Sequence, residues 1–229
     1  MKKRFLIYGV AYAVLLVFVL VLQQVYPKLE LHLLLNSYHT RIQDAFFTYY
    51  SMLAEGPLYA LGLLPLFWKH IKLTLFYALN ELTAGGLLQI LKHTICMPRP
   101  ISAFENCPDA ILPIVDGINM HHGNSFPSGH SSTFFVFCTC CALFVAYRYA
   151  KKNCQQKYFT WVTLVLTMLA LLTFAVLGAY SRVYLSQHFL SDVCMGSFIG
   201  FITPCLLFYF GRNKLLKDGK KKDSVKTLQ

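Results

Sequence analysis

Six stretches of 16 to 19 residues are apolar almost throughout: Phe5–Leu22, Met52–Phe67, Leu73–Leu91, Ser132–Tyr149, Phe159–Leu177 and Val193–Phe210. A helix that crosses a bilayer needs about 20 predominantly apolar residues. A chain with six such runs, 56% hydrophobic and 14% charged residues does not read as a soluble domain. The expected fold is all-α, a polytopic six-transmembrane helix bundle in one domain over 1–229. The second run is the weakest, being short and carrying Glu55, Gly56 and Pro57.

Lys2, Lys3 and Arg4 precede the first run, as in a signal peptide. Eighteen apolar residues exceed the usual ~7–15, and Val21-Leu22-Gln23-Gln24 offers no small-residue cleavage site, so the run reads as a retained span. The net charge of +11 suggests nucleic acid until its distribution is considered. With the N-terminus inside, segments 1–4, 68–72, 148–157 and 211–229 hold 16 of the 21 Lys and Arg. Only Lys28, Arg41, Lys92, Arg99 and Arg182 fall outside. That is the positive-inside pattern, and it orients all six helices with both termini cytoplasmic. The basic tail 211–229 is a topological anchor that can also touch anionic headgroups. Short loops suggest a bacterial cytoplasmic membrane.

Of the eight cysteines, only Cys96 and Cys107 share an outside loop where oxidation is open to them. Their spacing is not that of a zinc site. The outside segment 23–51 reads as partly helical and amphipathic, lying along the membrane surface. In the outside segment Lys92–His130, Pro98 and Pro100 end the third helix soon after it emerges. Glu55, Asn80 and Glu81 would be costly against lipid, so they should face the bundle or a polar cavity. Gly196-x-x-x-Gly200 permits two helices to approach closely.

Three clusters carry chemistry, and charge counting puts all three on the outer face. They are Lys92-x6-Arg99-Pro100, Pro127-Ser128-Gly129-His130 and Ser181-Arg182-x5-His188-x3-Asp192. His188 and Asp192 are spaced i, i+4, on one face of a helix that begins by His188. A carboxylate beside an imidazole fixes its tautomer and stabilises the charge that forms when the other nitrogen attacks. His188 is therefore the candidate nucleophile and His130 the general acid for the departing oxygen. Lys92, Arg99 and Arg182 supply three cations for the equatorial oxygens of a transferring phosphoryl group. Ser128 and Gly129 stand at a helix start, where free N–H groups favour an anion.

Each feature has a plainer reading alone. His32, His39, His121 and His122 read as polar surface residues, Lys92 as a snorkelling helix-end lysine, and PSGH as a helix N-terminus. Together and in order, the motifs K-x6-RP, PSGH and SR-x5-H-x3-D resemble those of the type-2 phosphatidic acid phosphatase superfamily. Its soluble relatives are vanadium-dependent haloperoxidases and acid phosphatases. The motif core covers 92–192, with no position departing from the pattern. The resemblance implies that Lys92, Arg99, Ser128, Gly129 and Arg182 bind phosphate, that His130 is the acid, and that His188 forms a phosphohistidine supported by Asp192. No cofactor is expected, and no metal either, because no set of outward His, Cys, Asp and Glu forms a credible metal cage.

The expectation is a metal-independent phosphatase acting at the extracytoplasmic face on a lipid or isoprenoid phosphate or diphosphate. Similar bacterial enzymes act on undecaprenyl diphosphate, phosphatidylglycerophosphate, phosphatidate or lipid A phosphates. The motif residues read phosphate and not the tail. The rivals are a haloperoxidase, a phosphotransferase using the same phosphohistidine, and a non-catalytic lipid-binding membrane protein. Six spans argue against the first, product analysis separates the second, and intact motifs argue against the third.

Overall fold

The computed structural model describes residues 2–67, 71–107, 110–151 and 157–215, and helix is the regular structure they form. In chain order the helices are α1 (Lys2–Val25), α2 (Lys28–Leu35), α3 (Arg41–Met52), α4 (Pro57–Phe67), α5 (Ile71–Thr94), α6 (Pro100–Phe104), α7 (Gly129–Lys151), α8 (Lys157–Tyr184) and α9 (Leu190–Leu215). Four of them contain stretches long and apolar enough to cross a membrane: Lys3–Val25, Gly129–Ala150, Trp161–Tyr184 and Leu190–Gly211.

The other two expected spans are not among these four. Residues 53–56 are turn, and α4 begins only at Pro57, whose missing N–H costs nothing at a first helical position. Its 11 residues cover about 16 Å, half a hydrocarbon core. The 24 residues of α5 reach about 36 Å, but Asn80, Glu81, Gln89 and Lys92 make it more polar than the four. Residues 68–70 and 152–156 and the tail beyond 215, all within segments expected to be cytoplasmic, lie outside the described residues.

The bundle is organised around α7. Phe134, Phe135, Cys138, Ala142 and Ala146 on that helix are buried against Leu164, Met168, Leu172 and Ala175 of α8 and Tyr8 and Tyr12 of α1. Glycines set the approach of the helices. A Cβ at Gly178 of α8 would strike the Phe134 ring, and one at Gly196 or Gly200 of α9 would strike the Ser128 or Ser132 carbonyl. The close approach expected of the Gly196/Gly200 pair is thus a backbone contact with α7. The outward flank of α1 (Val10, Val14, Val17, Phe18, Val21) is 50–65% exposed, as suits hydrocarbon rather than water.

Outside the bundle, segment 23–51 is partly helical as expected: it forms α2 and α3, which pack onto α8 and the loop that follows it. His32 and Asn36 are buried there, with Asn36 Nδ2 donating to Ser186 Oγ at 2.6 Å. His39 bridges Asp44 (2.9 Å) and Asn36 Oδ1 (2.7 Å), and Tyr184 donates to Asp44 at 2.7 Å. His32 and His39 are therefore structural, whereas His121 and His122 are exposed as expected. Cys96 and Cys107 are both free thiols.

Candidate active site

Lys92 occupies the last turn of α5. Beyond that helix the chain is tied back to the segment before α7. Asn124 Nδ2 donates to the carbonyls of Lys92 and of Ile95, the latter at 2.8 Å, while its Oδ1 accepts from Met97 N at 3.0 Å. Ser125 N donates to Met97 O at 2.9 Å. One asparagine and one ladder bond thus bring the first cluster against the second. Arg99 follows at the N-cap of α6, and its Nη1 donates to Gln187 O at 3.0 Å, reaching the third cluster.

Helix α7 starts at Gly129, as the sequence suggests. Ser128 is its cap: Ser128 Oγ accepts from Ser131 N at 3.4 Å and from Ser131 Oγ at 2.9 Å, which leaves its own proton free to donate. Around Gly129 the space a Cβ would take is open. The backbone N–H of Ser128 is bound to Asp192 O at 3.0 Å, so the starts of α7 and α9 are locked together.

Between α8 and α9 the chain reverses around the Arg182 carbonyl. Arg182 O accepts from the N–H groups of Gln187 (3.0 Å) and His188 (3.1 Å). Ser186 sits at φ 52, a left-handed conformation unfavourable for a serine, and its hydroxyl is held by Asn36 and by Pro113 O at 2.7 Å. Phe189 is buried beneath the Lys28 ammonium, 4.0 Å from its ring centroid. Helix α9 begins at Leu190, so His188 precedes the helix it was expected to begin. It is oriented by the loop and by Asp192, which caps the first turn by accepting from Phe189 N at 2.9 Å.

His188 and Asp192 do come together, and a third residue stands between them. His188 Nδ1 lies 3.6 Å from Asp192 Oδ2, beyond hydrogen-bond reach. It lies 3.3 Å from Ser125 Oγ, and that hydroxyl is 2.5 Å from the same carboxylate oxygen. A serine has one proton to give. If it goes to the fully buried carboxylate, Ser125 can only accept from His188. Nδ1 then carries the ring proton and Nε2 is left with its lone pair. Ser125 was not singled out in the sequence; the one available signal was its position three residues before Ser128.

The remaining members surround this array. Lys92, Arg99 and Arg182 lie near enough to repel one another, and Arg182 Nη1 is held by Ser51 Oγ of α3 at 2.6 Å. The Nε atoms of Arg99 and Arg182 are buried without a protein partner. Burial pulls Arg99 below its ordinary pKa, with Asp192 opposing. Burial also pushes the His188 pKa well below the usual imidazole range, and Arg182 and Arg99 add to that against the pull of Asp192. The His188 ring is accordingly neutral. His130, on the first turn of α7, faces Glu55 at 3.3 Å (Nε2 to Oε1). Glu55 was expected within a span; it lies in the α3–α4 turn with its side chain 60% exposed. Asn80 is buried, donating to Phe76 O at 2.7 Å. All eight residues singled out in the sequence thus gather at one end of the bundle.

Apolar membrane-length helices with a buried, cation-lined histidine cluster at one end define the class of this molecule. The chain belongs to the PAP2 superfamily, which matches residues 73–215. The crystal structure of Aquifex aeolicus LpxE is similar, with a TM-score of 0.56 and 26% identity over 80% of this chain and 94% of that one. No curated protein matches the chain.

Proposed function

We propose that this protein is a membrane lipid phosphatase that works through a phosphohistidine on His188. The observation that carries the proposal is the buried array of Ser125, His188 and Asp192 beside three cations, at one end of an apolar bundle. Nε2 of His188 attacks phosphorus as the bond to the leaving oxygen breaks, and His130 gives its proton to that oxygen. Asp192 stabilises the positive charge that grows on the ring. Lys92, Arg99, Arg182, the Ser128 hydroxyl and the N–H groups at the start of α7 hold the equatorial oxygens. Water activated by His130 then hydrolyses the phosphohistidine.

The apolar flanks of the bundle support a lipid tail on the substrate, and the charge asymmetry supports an extracytoplasmic site with both termini inside. On this reading α4 and α5 complete six spans. The deciding experiment is phosphate release by purified protein from a panel of lipid phosphates with EDTA present. Release from at least one of them is expected. No release from any, with the protein folded, overturns the reading.

A further inference from the structure

Glu55 is an anomaly in an apolar run, and it is the side chain that meets the His130 imidazole, with Oε1 3.3 Å from Nε2. We infer that Glu55 is a positioning and specificity residue that biases the site toward phosphomonoesters of neutral lipid alcohols and against lipid diphosphates. This rests on the proposed reaction, in which His130 hands its proton to the departing oxygen. The contact then locates the leaving group. An oxygen that takes a proton from the Nε2 now facing Glu55 comes within about 3–5 Å of that carboxylate.

Two effects follow, and both run the same way. A carboxylate beside an imidazole favours the protonated ring. An alcohol leaving group needs that proton, because the P–O bond breaks only as the oxygen is relieved of its charge. A phosphate leaving group is already a stable anion and needs it less. In diphosphate cleavage the departing group also carries negative charge beside Glu55, whereas a departing alcohol carries none. Two unit charges 5 Å apart repel enough, even with water-like screening, to change a rate about fourfold, and by more where screening is partial. The side chain of His130 is 26% exposed against 60% for Glu55, so the contact lies at the rim, where a leaving group emerges.

The test uses the full-length protein and its Glu55→Gln variant, close in shape but neutral. Each is assayed on a phosphatidate and on the diacylglycerol diphosphate of the same acyl chains, in the same detergent micelles. The wild type should have the higher kcat/KM on the monoester. In Glu55→Gln the monoester-to-diphosphate ratio should fall about tenfold or more, with monoester kcat reduced and diphosphate kcat/KM raised. Glu55→Asp, which keeps the charge, should hold the ratio within about threefold of wild type. A folding defect would lower both substrates together and leave the ratio alone. An unmoved ratio in Glu55→Gln, or a wild type that prefers the diphosphate, overturns the inference alone. A wild type that releases phosphate from neither overturns the phosphatase reading as well.

Discussion

In the proposed reaction a neutral histidine is a usable nucleophile only if the nitrogen that attacks has kept its lone pair, and here that is decided by a serine proton. Ser125 is fully buried and lies between Asp192 and His188. Ser125→Ala should lower the rate of phosphoenzyme formation by about 10–100-fold with KM little changed, because the wrong tautomer becomes accessible while the phosphate ligands stay. Ser125→Thr should recover part of that loss, measured by rapid quench under alkaline conditions. The two histidines should separate in the same assay. His188→Ala should remove turnover and covalent phosphate together. His130→Ala should accumulate phosphohistidine from an activated aryl phosphate, whose leaving group needs no proton; label on His130 or Ser128 instead would refute the roles. The low His188 pKa also sets a pH expectation. Protonation disables the nucleophile, and with the folded pKa far below the ordinary ~6.5 it should not do so as pH falls through 6. Single-turnover rates with the aryl phosphate should therefore show no acid limb near pH 6.5, and one centred there would contradict the burial argument.

At the scale of elements, the catalytic geometry depends on how closely α9 can lie against α7. The Gly196 Cα faces the Ser128 carbonyl, where a methyl group would collide with backbone that has no rotamer to escape into. Gly196→Ala should cost about 1–3 kcal/mol of stability by overpacking and at least tenfold in kcat, since the displaced atom belongs to the PSGH turn. Gly85→Ala and Gly86→Ala, with open space at the Cβ in α5, are the controls and should be neutral or slightly stabilising in a thermal melt. The Gly196/Gly200 pair was legible in the sequence because small residues at i, i+4 have one common use. So were Lys92, Arg99, Ser128, His130, Arg182, His188 and Asp192, each embedded in a motif with a chemical reason. Ser125 was not, since a lone serine carries no signal until the fold sets it against a carboxylate 67 residues away. The docking of α2 was hidden for a similar reason. Its apolar face suits a membrane surface as well as a protein one, and only the buried bond from Asn36 to Ser186 tells them apart. Glu55 was misplaced because an apolar run was counted through a turn that Gly56 and Pro57 mark.

At the scale of the molecule, the face on which the site lies does not depend on whether four or six helices cross. Helices α1, α7, α8 and α9 each have the length and composition to span. Between α1 and α7 lie α4 and α5, with Lys69 between them and Lys72 in the first turn of α5. These two either both cross or both turn back as a hairpin, because in either case the chain returns to the face where α7 begins. Lys92 at the end of α5, His130 at the start of α7 and His188 at the start of α9 therefore share one face on both counts. With 16 of the 21 basic residues on the opposite side if six helices cross, and 14 if four do, that face should be extracytoplasmic. A reporter fused after Gln229 should behave as cytoplasmic, and one inserted at position 109 as external. The reverse pattern would put the chemistry on the inner face and overturn the charge-based orientation. The number of spans is decided separately at position 69. In a cysteine-free background, Lys69→Cys should resist a membrane-impermeant thiol reagent applied from outside and react once the membrane is permeabilised. An 11-residue α4 reaches only about half-way across a hydrocarbon core, so a six-span protein needs the residues after Phe67 to complete the crossing. Labelling of that cysteine from outside in intact cells would instead make α4 and α5 a re-entrant hairpin, leaving four spans and the site where it is.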